Sequence, residues 1–195
     1  MCGRFYVDDE TIKEIEKIIK KIDNRLKAKT KQGDVYPTNQ SPVLQEENND
    51  IVLSNMIWGV PQYNRKGVIF NARSETALEK RTFADSMKYR RCLVPVKGFY
   101  EWDKSKNRIA FERPDEQVML LAGIWNLYGL NKRFTIITTA ANESMIPVHD
   151  RMPLIIEPEE SEIWIKDDKS TEFLLHKPPK ELSIVSGDLQ YTLNL

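Results

Sequence analysis

Between residues 43 and 139 the chain carries a succession of short apolar segments, and this pattern limits the possible folds more than any other feature of the sequence. Each segment is bounded by Pro, Gly, Asn or Asp, which is typical of strand ends. The predicted strands are residues 43–44, 51–60, 68–70, 92–102, 108–112, 117–125 and 134–139. Because a strand must bury its apolar face, these segments have to pack on one another or on helices.

Helices are predicted before, within and after the strand-rich region. Residues 9–22 place five isoleucines at steps of three, three, one and three, which is the spacing of an amphipathic helix. The other predicted helices are residues 75–89, with Ser74 as N-cap, and residues 159–166 and 171–176. Since helices and strands do not alternate regularly, we predict an α+β fold with a largely antiparallel, barrel-like sheet core flanked by helices.

The length of 195 residues suits a single domain with a sizeable core. We expect the acidic segment 157–195 to pack on the rest of this domain. A hydrophobic content of 41% at zero net charge excludes a disordered chain. No apolar run approaches the ~20 residues that cross a bilayer, and the acidic residues near the start do not fit a secretory signal. We therefore expect a cytoplasmic monomer with no membrane partner.

The chain has 2 cysteines and 2 histidines, with no CxxC pair. This excludes a disulfide framework and a four-ligand zinc site, so we expect no metal and no cofactor. The charges are unevenly distributed: residues 64–113 carry 13 Lys and Arg against 6 Asp and Glu, whereas residues 155–195 carry 4 against 9. This asymmetry indicates an anionic partner held on one face, although a solvated surface with no such partner explains it as well.

Cys2 follows the initiator Met1 directly. A small second residue generally allows an aminopeptidase to remove Met1, and we expect the mature chain to begin with a free Cys2. Its α-amine could then form an imine with an aldehyde, and its thiol could close on the same carbon to give a thiazolidine. With ordinary pKa values of about 8 and about 8.5, both groups are partly nucleophilic near neutrality. The alternative is that Met1 remains and Cys2 packs as a small apolar residue.

Seven motifs follow one another along the chain. They are MCGRF at 1–5, WG at 58–59, NARSET at 71–76, RCLVPVKGFYEW at 91–102, AGIW at 122–125, FTIITTAAN at 134–142 and HDRMP at 149–153. Together they resemble the SOS-response-associated peptidase (SRAP) family of abasic-site processing proteins, over residues 1–156. The resemblance implies a DNA-damage protein that senses abasic sites in single-stranded DNA. It also implies a thiazolidine crosslink between the terminal cysteine and the ring-opened deoxyribose aldehyde, which shields the lesion.

The resemblance further implies an association with DNA, at the nucleoid if the source is bacterial. The family name reflects a peptidase activity, which would fit removal of the residue before Cys2. Two alternatives remain open from the residues alone. The first is a cysteine peptidase that processes its own N-terminus, with Cys2 as nucleophile, and the second is a non-catalytic reader of modified bases.

Glu101 and His149 are the candidate proton-transfer groups. Glu101 lies in the apolar and aromatic stretch GFYEW, where desolvation would raise its pKa and suit it to proton transfer. The resemblance makes it the general acid and base, whereas the alternative is an outward-facing residue of an alternating strand. His149 opens HDRMP, and the resemblance implies that it helps to protonate the sugar oxygen and the imine. The alternative is a structural histidine.

Asn71 and six further residues are the candidate binding groups. The Asn71 amide both donates and accepts, so it can hold the Cys2 amine and the lesion, although an Asn there is also an ordinary turn residue. By resemblance and by chemistry, the predicted DNA contacts are Arg4, Arg73, Arg81, Thr138, Arg151 and Tyr63. Guanidinium groups bind phosphate bidentately, but these arginines could equally pair with Glu75 or Asp150. Tyr63 is the one aromatic residue in the loop after WG that could stack on a base.

Overall fold

The computed structural model describes residues 2–18, 32–63, 65–167 and 169–186. Its strands are β1 (Arg4–Val7), β2 (Gly33–Val35), β3 (Gln40–Glu47), β4 (Asp50–Trp58), β5 (Val60–Pro61), β6 (Val68–Ile69), β7 (Asn71–Arg73), β8 (Arg91–Val96), β9 (Gly98–Trp102), β10 (Arg108–Glu112), β11 (Met119–Tyr128), β12 (Asn131–Ala140), β13 (Arg151–Pro153), β14 (Ile155–Ile156) and β15 (Ser183–Ser186). Its helices are α1 (Asp9–Ile18), α2 (Ser74–Ala77), α3 (Ala84–Tyr89), α4 (Ser161–Lys166) and α5 (Thr171–His176). A 3-10 turn, Pro158–Glu160, precedes α4.

Five strands close into a ring at the centre of the molecule, in the order β12, β4, β3, β8, β11 and back to β12. Four of the five pairings are antiparallel, and only β12 and β4 run parallel, with Phe134 opposite Trp58. A closed ring leaves no strand edge in the barrel unpaired. The predicted α+β fold with a largely antiparallel, barrel-like sheet is confirmed.

A second, wholly antiparallel sheet joins β15, β10, β9, β1 and β2. Its inward residues, among them Phe5, Phe99 and Phe111, share one core cluster with Trp58 and Phe134 of the barrel. A second cluster lies on the other face of the barrel strands, where it packs against the helices. All residues of β8 are therefore buried, which explains its uninterrupted apolar run.

The helices cover the barrel through a few large side chains. Ile15 of α1 and Trp164 of α4 are fully buried, and the indole Nε1 of Trp164 donates to the Cys92 carbonyl at 2.9 Å. Cys92 itself is buried, as the sequence suggested. Of the helix predicted at 9–22, the part beyond residue 18 lies outside the described residues. No helix in the described part of the chain is long and apolar enough to cross a bilayer.

The predicted strand 92–102 and the predicted helix 75–89 were wrong, since each is two elements. The segment 92–102 is two strands in different sheets, because the chain bends at Lys97, whose N–H donates to the Tyr6 carbonyl at 2.9 Å. Gly98 follows the bend, and a Cβ there would lie 2.5 Å from the Phe111 carbonyl oxygen, so only glycine fits without displacement.

The helix predicted at 75–89 is two short helices, α2 and α3, joined by turns. Phe83 occupies the end of the joining segment and buries its ring in the core, which a continuous helix would not allow at the same position. Ser74 is the first residue of α2 and is buried, while Arg73 takes the N-cap position, so the predicted Ser74 cap was also wrong.

Candidate active site

The site forms where strand β12 leaves the barrel. This strand pairs with β4 up to Phe134 and with β11 up to Ile136, and further along these neighbours are replaced by β7 and β13. β7 carries Asn71, which lies opposite Ile136 of β12. β13 begins at Arg151, two residues after His149. Because β12 changes its partner strands along its length, it brings the motifs NARSET and HDRMP together at one end of the barrel.

Cys2 reaches this place through the second sheet. It lies two residues before the start of β1, which pairs with β9, the strand that holds Glu101. The side-chain Nδ2 of Asn71 donates to the Cys2 carbonyl oxygen at 2.8 Å. The Asn71 Oδ1 atom is buried and has no hydrogen-bond partner among the described residues. Cys2 and Asn71, two of the predicted site residues, are therefore in direct contact.

Burial changes the chemistry expected of the Cys2 thiol. Its side chain belongs to the main core cluster, and Sγ faces the Arg4 carbonyl at 3.6 Å. Desolvation, with a further contribution from the charge of Glu101, raises the pKa of the thiol far above its ordinary value. The expectation of a partly ionised thiol is therefore corrected. In this environment the thiol is protonated and requires a base before it can attack.

Glu101 is the base best placed for that step. It is buried, with 1% of its surface exposed, so it is not the outward-facing residue of an alternating strand. Desolvation raises its pKa, and positive charge nearby, including that of His149, opposes the rise. Its Oε1 lies 3.4 Å from Nε2 of His149. A carboxyl group whose pKa is raised by burial is suited to exchange protons near neutrality.

The hydrogen bonds of His149 assign its neutral tautomer. The backbone N–H of Arg151 donates to Nδ1 at 2.9 Å, and since that N–H can only donate, Nδ1 is the unprotonated nitrogen of the neutral ring. A neutral ring that keeps this hydrogen bond carries its proton on Nε2, which faces Glu101. The exposed Asp150 carboxylate also lies 2.9 Å from Nδ1 and is positioned to accept a proton from a doubly protonated ring. His149 thus offers an N–H, not a lone pair, toward Glu101.

Arg151 and Thr138 face inward at this site. The Arg151 guanidinium forms a bidentate ion pair with Glu75, one of the alternatives expected from the sequence, and also donates to the Thr138 carbonyl at 2.7 Å. Thr138 is fully buried, and its hydroxyl donates to the Ala72 carbonyl at 3.4 Å. In this arrangement both residues tie β12 to its neighbours.

Arg4 is held in an aromatic setting on the second sheet. Its guanidinium carbon lies 4.5 Å from the centre of the Tyr36 ring and 5.2 Å from that of Trp102, and Nη1 is 3.5 Å from Asp34. Trp102 is 36% exposed. Tyr36 was not among the predicted site residues. Its only signal in the sequence is an aromatic residue beside a Pro-containing turn.

The remaining predicted DNA contacts lie on the surface. Arg73 and Arg81 are exposed, at the end of β7 and in the turns between α2 and α3. Tyr63 is 92% exposed in the turn between β5 and β6. His176 is exposed at the end of α5. In the described part of the chain, no group of His, Cys, Asp and Glu side chains is arranged to hold a metal ion.

Trp58 packs against the segment that leads into Asn71. It is fully buried, and its indole Nε1 donates to the Phe70 carbonyl at 2.9 Å, one residue before Asn71. Its ring packs against those of Phe5 and Phe70 at 4.9 and 5.7 Å between centroids. Gly59, the other half of the WG motif, has φ of +98°, and a Cβ there would lie 2.7 Å from Val68. The motif is therefore structural and fixes the start of β7.

Comparison with known proteins identifies the family. The model of the SOS response associated peptidase (SRAP) family matches residues 1–188. The chain belongs to the SRAP family. The match extends beyond the motifs, which end near residue 156, and includes α4, α5 and β15. The acidic segment is therefore part of the SRAP unit as far as residue 188.

Relatives of this SRAP chain carry a common name. The abasic site processing protein YoqW of Bacillus subtilis is 32% identical over 186 residues, covering 85% of this chain and 80% of that protein. The abasic site processing protein YedK of Escherichia coli is 29% identical over 144 residues, covering 70% and 65%.

Solved structures share the fold of this chain. A crystal structure of a protein from Bacteroides thetaiotaomicron matches with a TM-score of 0.79 at 22% identity, covering 95% of this chain and 92% of that one. A protein from Bordetella bronchiseptica matches with a TM-score of 0.77 at 20% identity, covering 95% and 100%. At these identities the likeness concerns the fold.

Proposed function

We propose that this protein captures abasic sites in single-stranded DNA as a covalent thiazolidine on Cys2, after removal of Met1, and so shields the lesion. The observation that carries the proposal is the contact of Asn71 with Cys2 beside the facing pair Glu101 and His149. This arrangement combines a candidate aminothiol, an amide that orients it, and one acid and one base. The relatives named abasic site processing proteins supply the substrate class.

The chemistry needs only groups of the chain and of the lesion. The opened deoxyribose presents an aldehyde at C1′, to which the Cys2 amine adds to form a carbinolamine. The hydroxyl of that carbinolamine takes a proton and leaves as water, which yields an imine. The Cys2 sulfur then bonds to C1′ as the C=N double bond becomes single, and the proton that the thiol loses is matched by one gained at the nitrogen, so the product retains one C–N and one C–S bond. The net reaction releases one water molecule.

The two proton-transfer groups suit different steps. Glu101 in its ionised form accepts the thiol proton, which the high thiol pKa makes necessary. A doubly protonated His149 can donate its Nε2 proton to the departing hydroxyl or to the sugar oxygen during ring opening, and it then returns to the neutral ring. Asn71 holds the Cys2 carbonyl group in place, so that the Cys2 amine and the Cys2 sulfur approach the same atom, C1′ of the lesion.

The deciding experiment mixes the purified protein with a single-stranded oligonucleotide that carries one abasic site. We expect a heat-stable complex whose mass equals that of the chain without Met1 plus the DNA, less one water. Cys2→Ala should abolish it, while Cys92→Ala, which changes the other buried cysteine, should retain it. An oligonucleotide with a tetrahydrofuran analogue has no aldehyde and should not react. Undiminished crosslinking by Cys2→Ala would contradict the proposal.

The same experiment separates the rival functions. A cysteine peptidase attacks with a thiolate of lowered pKa, whereas burial raises the pKa of Cys2, which favours DNA capture over peptide cleavage. A peptidase would cleave a peptide and ignore the DNA. A reader of modified bases would bind the oligonucleotide reversibly and bind equally well as Cys2→Ala.

A further inference from the structure

The loop that carries His149 is tied to a distant part of the chain. Nδ2 of Asn142 donates to the carbonyl oxygens of Pro179 at 3.1 Å and Lys180 at 2.9 Å, across 37 and 38 positions. The Ser144 hydroxyl donates to Oδ1 of Asn142 at 2.7 Å and accepts a hydrogen bond from the Leu182 N–H at 3.0 Å. Two side chains of the loop therefore hold three backbone groups of residues 179–182, here called the brace segment.

Hydrogen bonds continue without a break from Asn142 to His149. The Asn142 carbonyl accepts from the N–H groups of Met145 and Ile146, both at 3.0 Å. The Met145 carbonyl in turn accepts from Val148 at 2.9 Å and from His149 at 3.0 Å. Two consecutive turns are thus stacked between Asn142 and the imidazole. A shift of Asn142 would be passed along these turns to His149.

The brace segment is itself firmly anchored. Leu182 is buried in the main core cluster. The Lys180 ammonium lies 2.9 Å from Glu157, a buried carboxylate that also pairs with Arg113 at 3.1 Å. β15 begins directly after Leu182 and pairs with β10. The segment can therefore act as a fixed support, since the Lys180–Glu157 ion pair and the β15–β10 pairing do not involve the loop.

We propose that Asn142 and Ser144 are positioning residues that hold His149 toward Glu101 by fastening its loop to the brace segment. The acidic C-terminal region, beyond the last of the seven motifs, would then complete the active site. The effect on the crosslinking rate rests on the proposed function, whereas the effect on the His149 ring can be measured without DNA. The structural consequence is the neutral tautomer of His149, which depends on the alignment of Nδ1 with the Arg151 N–H.

The variants separate positioning from general stability. Asn142→Ala removes the two hydrogen bonds to the carbonyl oxygens of Pro179 and Lys180. Ser144→Ala removes the hydrogen bond with the Leu182 N–H and leaves those two bonds in place. Ser144→Thr keeps a hydroxyl and should restore the hydrogen bond with the Leu182 N–H. Lys177→Ala breaks the ion pair with Glu160 just before the brace segment and serves as the matched control.

Two measurements are made on each variant. The first is the single-turnover rate of crosslinking to abasic DNA, set beside the affinity for DNA with the unreactive tetrahydrofuran analogue. The second is long-range ¹H–¹⁵N spectroscopy of the imidazoles in the absence of DNA, at a pH where the rings are neutral. The exposed His176 provides an internal reference in every spectrum.

We expect the wild-type His149 to show the Nε2–H tautomer, and Asn142→Ala and Ser144→Ala to show a mixture of tautomers. The crosslinking rate should fall about tenfold in these two variants with DNA affinity unchanged, and Ser144→Thr and Lys177→Ala should behave as wild type. If wild type forms no crosslink, the proposed function fails, but the spectra still test whether the brace segment positions His149. An unchanged His149 spectrum in both alanine variants, or a Lys177→Ala variant with the same losses, would overturn the inference.

Discussion

The side-chain amide of Asn71 donates a 2.8 Å hydrogen bond to the carbonyl oxygen of Cys2, across 69 positions of the chain. The same side chain keeps its Oδ1 buried and without a partner among the described residues. A buried acceptor left unpaired costs about 1–3 kcal/mol, so an incoming donor such as an amine or hydroxyl would be bound favourably there. The contact therefore orients Cys2 and leaves one acceptor available for the reaction.

Replacement of Asn71 should separate reactivity from stability. In Asn71→Ala the lost hydrogen bond, about 1 kcal/mol, is offset by removal of the unpaired acceptor, so we expect little change in the free energy of unfolding. The crosslinking rate should fall about tenfold or more, because Cys2 loses its orientation. Urea unfolding and single-turnover kinetics measure the two quantities. A rate equal to that of wild type would exclude Asn71 from the mechanism.

Glu101→Gln should stabilise the fold while it slows the reaction. Because burial raises the folded-state pKa of Glu101, ionisation is harder in the folded chain, and the stability present below the unfolded pKa is lost as pH rises through the folded value. A neutral glutamine avoids this loss, so the variant should be more stable than wild type at pH 7. The gain should vanish in acid, below about pH 4.5, where the unfolded carboxyl is also protonated.

The crosslinking rate of Glu101→Gln should fall by at least about a hundredfold, the usual contribution of general acid–base catalysis. Glu116→Gln, at an exposed position, serves as the control for both measurements. Loss of stability at neutral pH together with an unchanged rate would show that Glu101 is a structural carboxylate.

Arg73 and Arg151 should respond differently to truncation. Arg73 is exposed, so Arg73→Ala should leave stability unchanged, weaken DNA binding, and reduce the slope of log K against log salt by about one. Arg151 pairs with Glu75 and bonds to the Thr138 carbonyl, so Arg151→Ala should lose about 1–2 kcal/mol of stability. Binding titrations over a range of salt and thermal unfolding provide the readouts. An unaltered salt slope for Arg73→Ala would remove it from the DNA interface.

Asp115 should contribute to the acid sensitivity of the fold. The hydrogen bonds from Arg113 lower the pKa of Asp115 from 3.8 to about 2. Its contribution is therefore complete above the unfolded value and is lost as pH falls through the folded one. Between pH 4 and pH 2, wild type should lose stability more steeply than Asp115→Asn. Unfolding midpoints at a series of pH values measure the difference, and parallel curves would contradict it.

The sequence anticipated those elements whose signal is local. Segments 108–112 and 171–176 coincide with β10 and α5, because their periodicity and their boundary residues agree. The helix predicted at 75–89 failed where the local signal continued but Phe83 had to enter the core. The short strands β1, β13 and β14 were missed, since each is defined by its partner strand and has little pattern of its own.

The candidate site shows the same division between local and long-range information. By itself the sequence determined the chemistry available: a terminal aminothiol if Met1 is removed, a carboxyl group in an apolar strand, and a histidine and an amide within ordered motifs. Only the tertiary structure decided that the Cys2 thiol is buried, that Arg151 is engaged by Glu75, and that Asn142 fastens the histidine loop to residues 179–182. Burial, and pairing between remote residues, depend on how barrel and sheet pack together, and no local spacing encodes that packing.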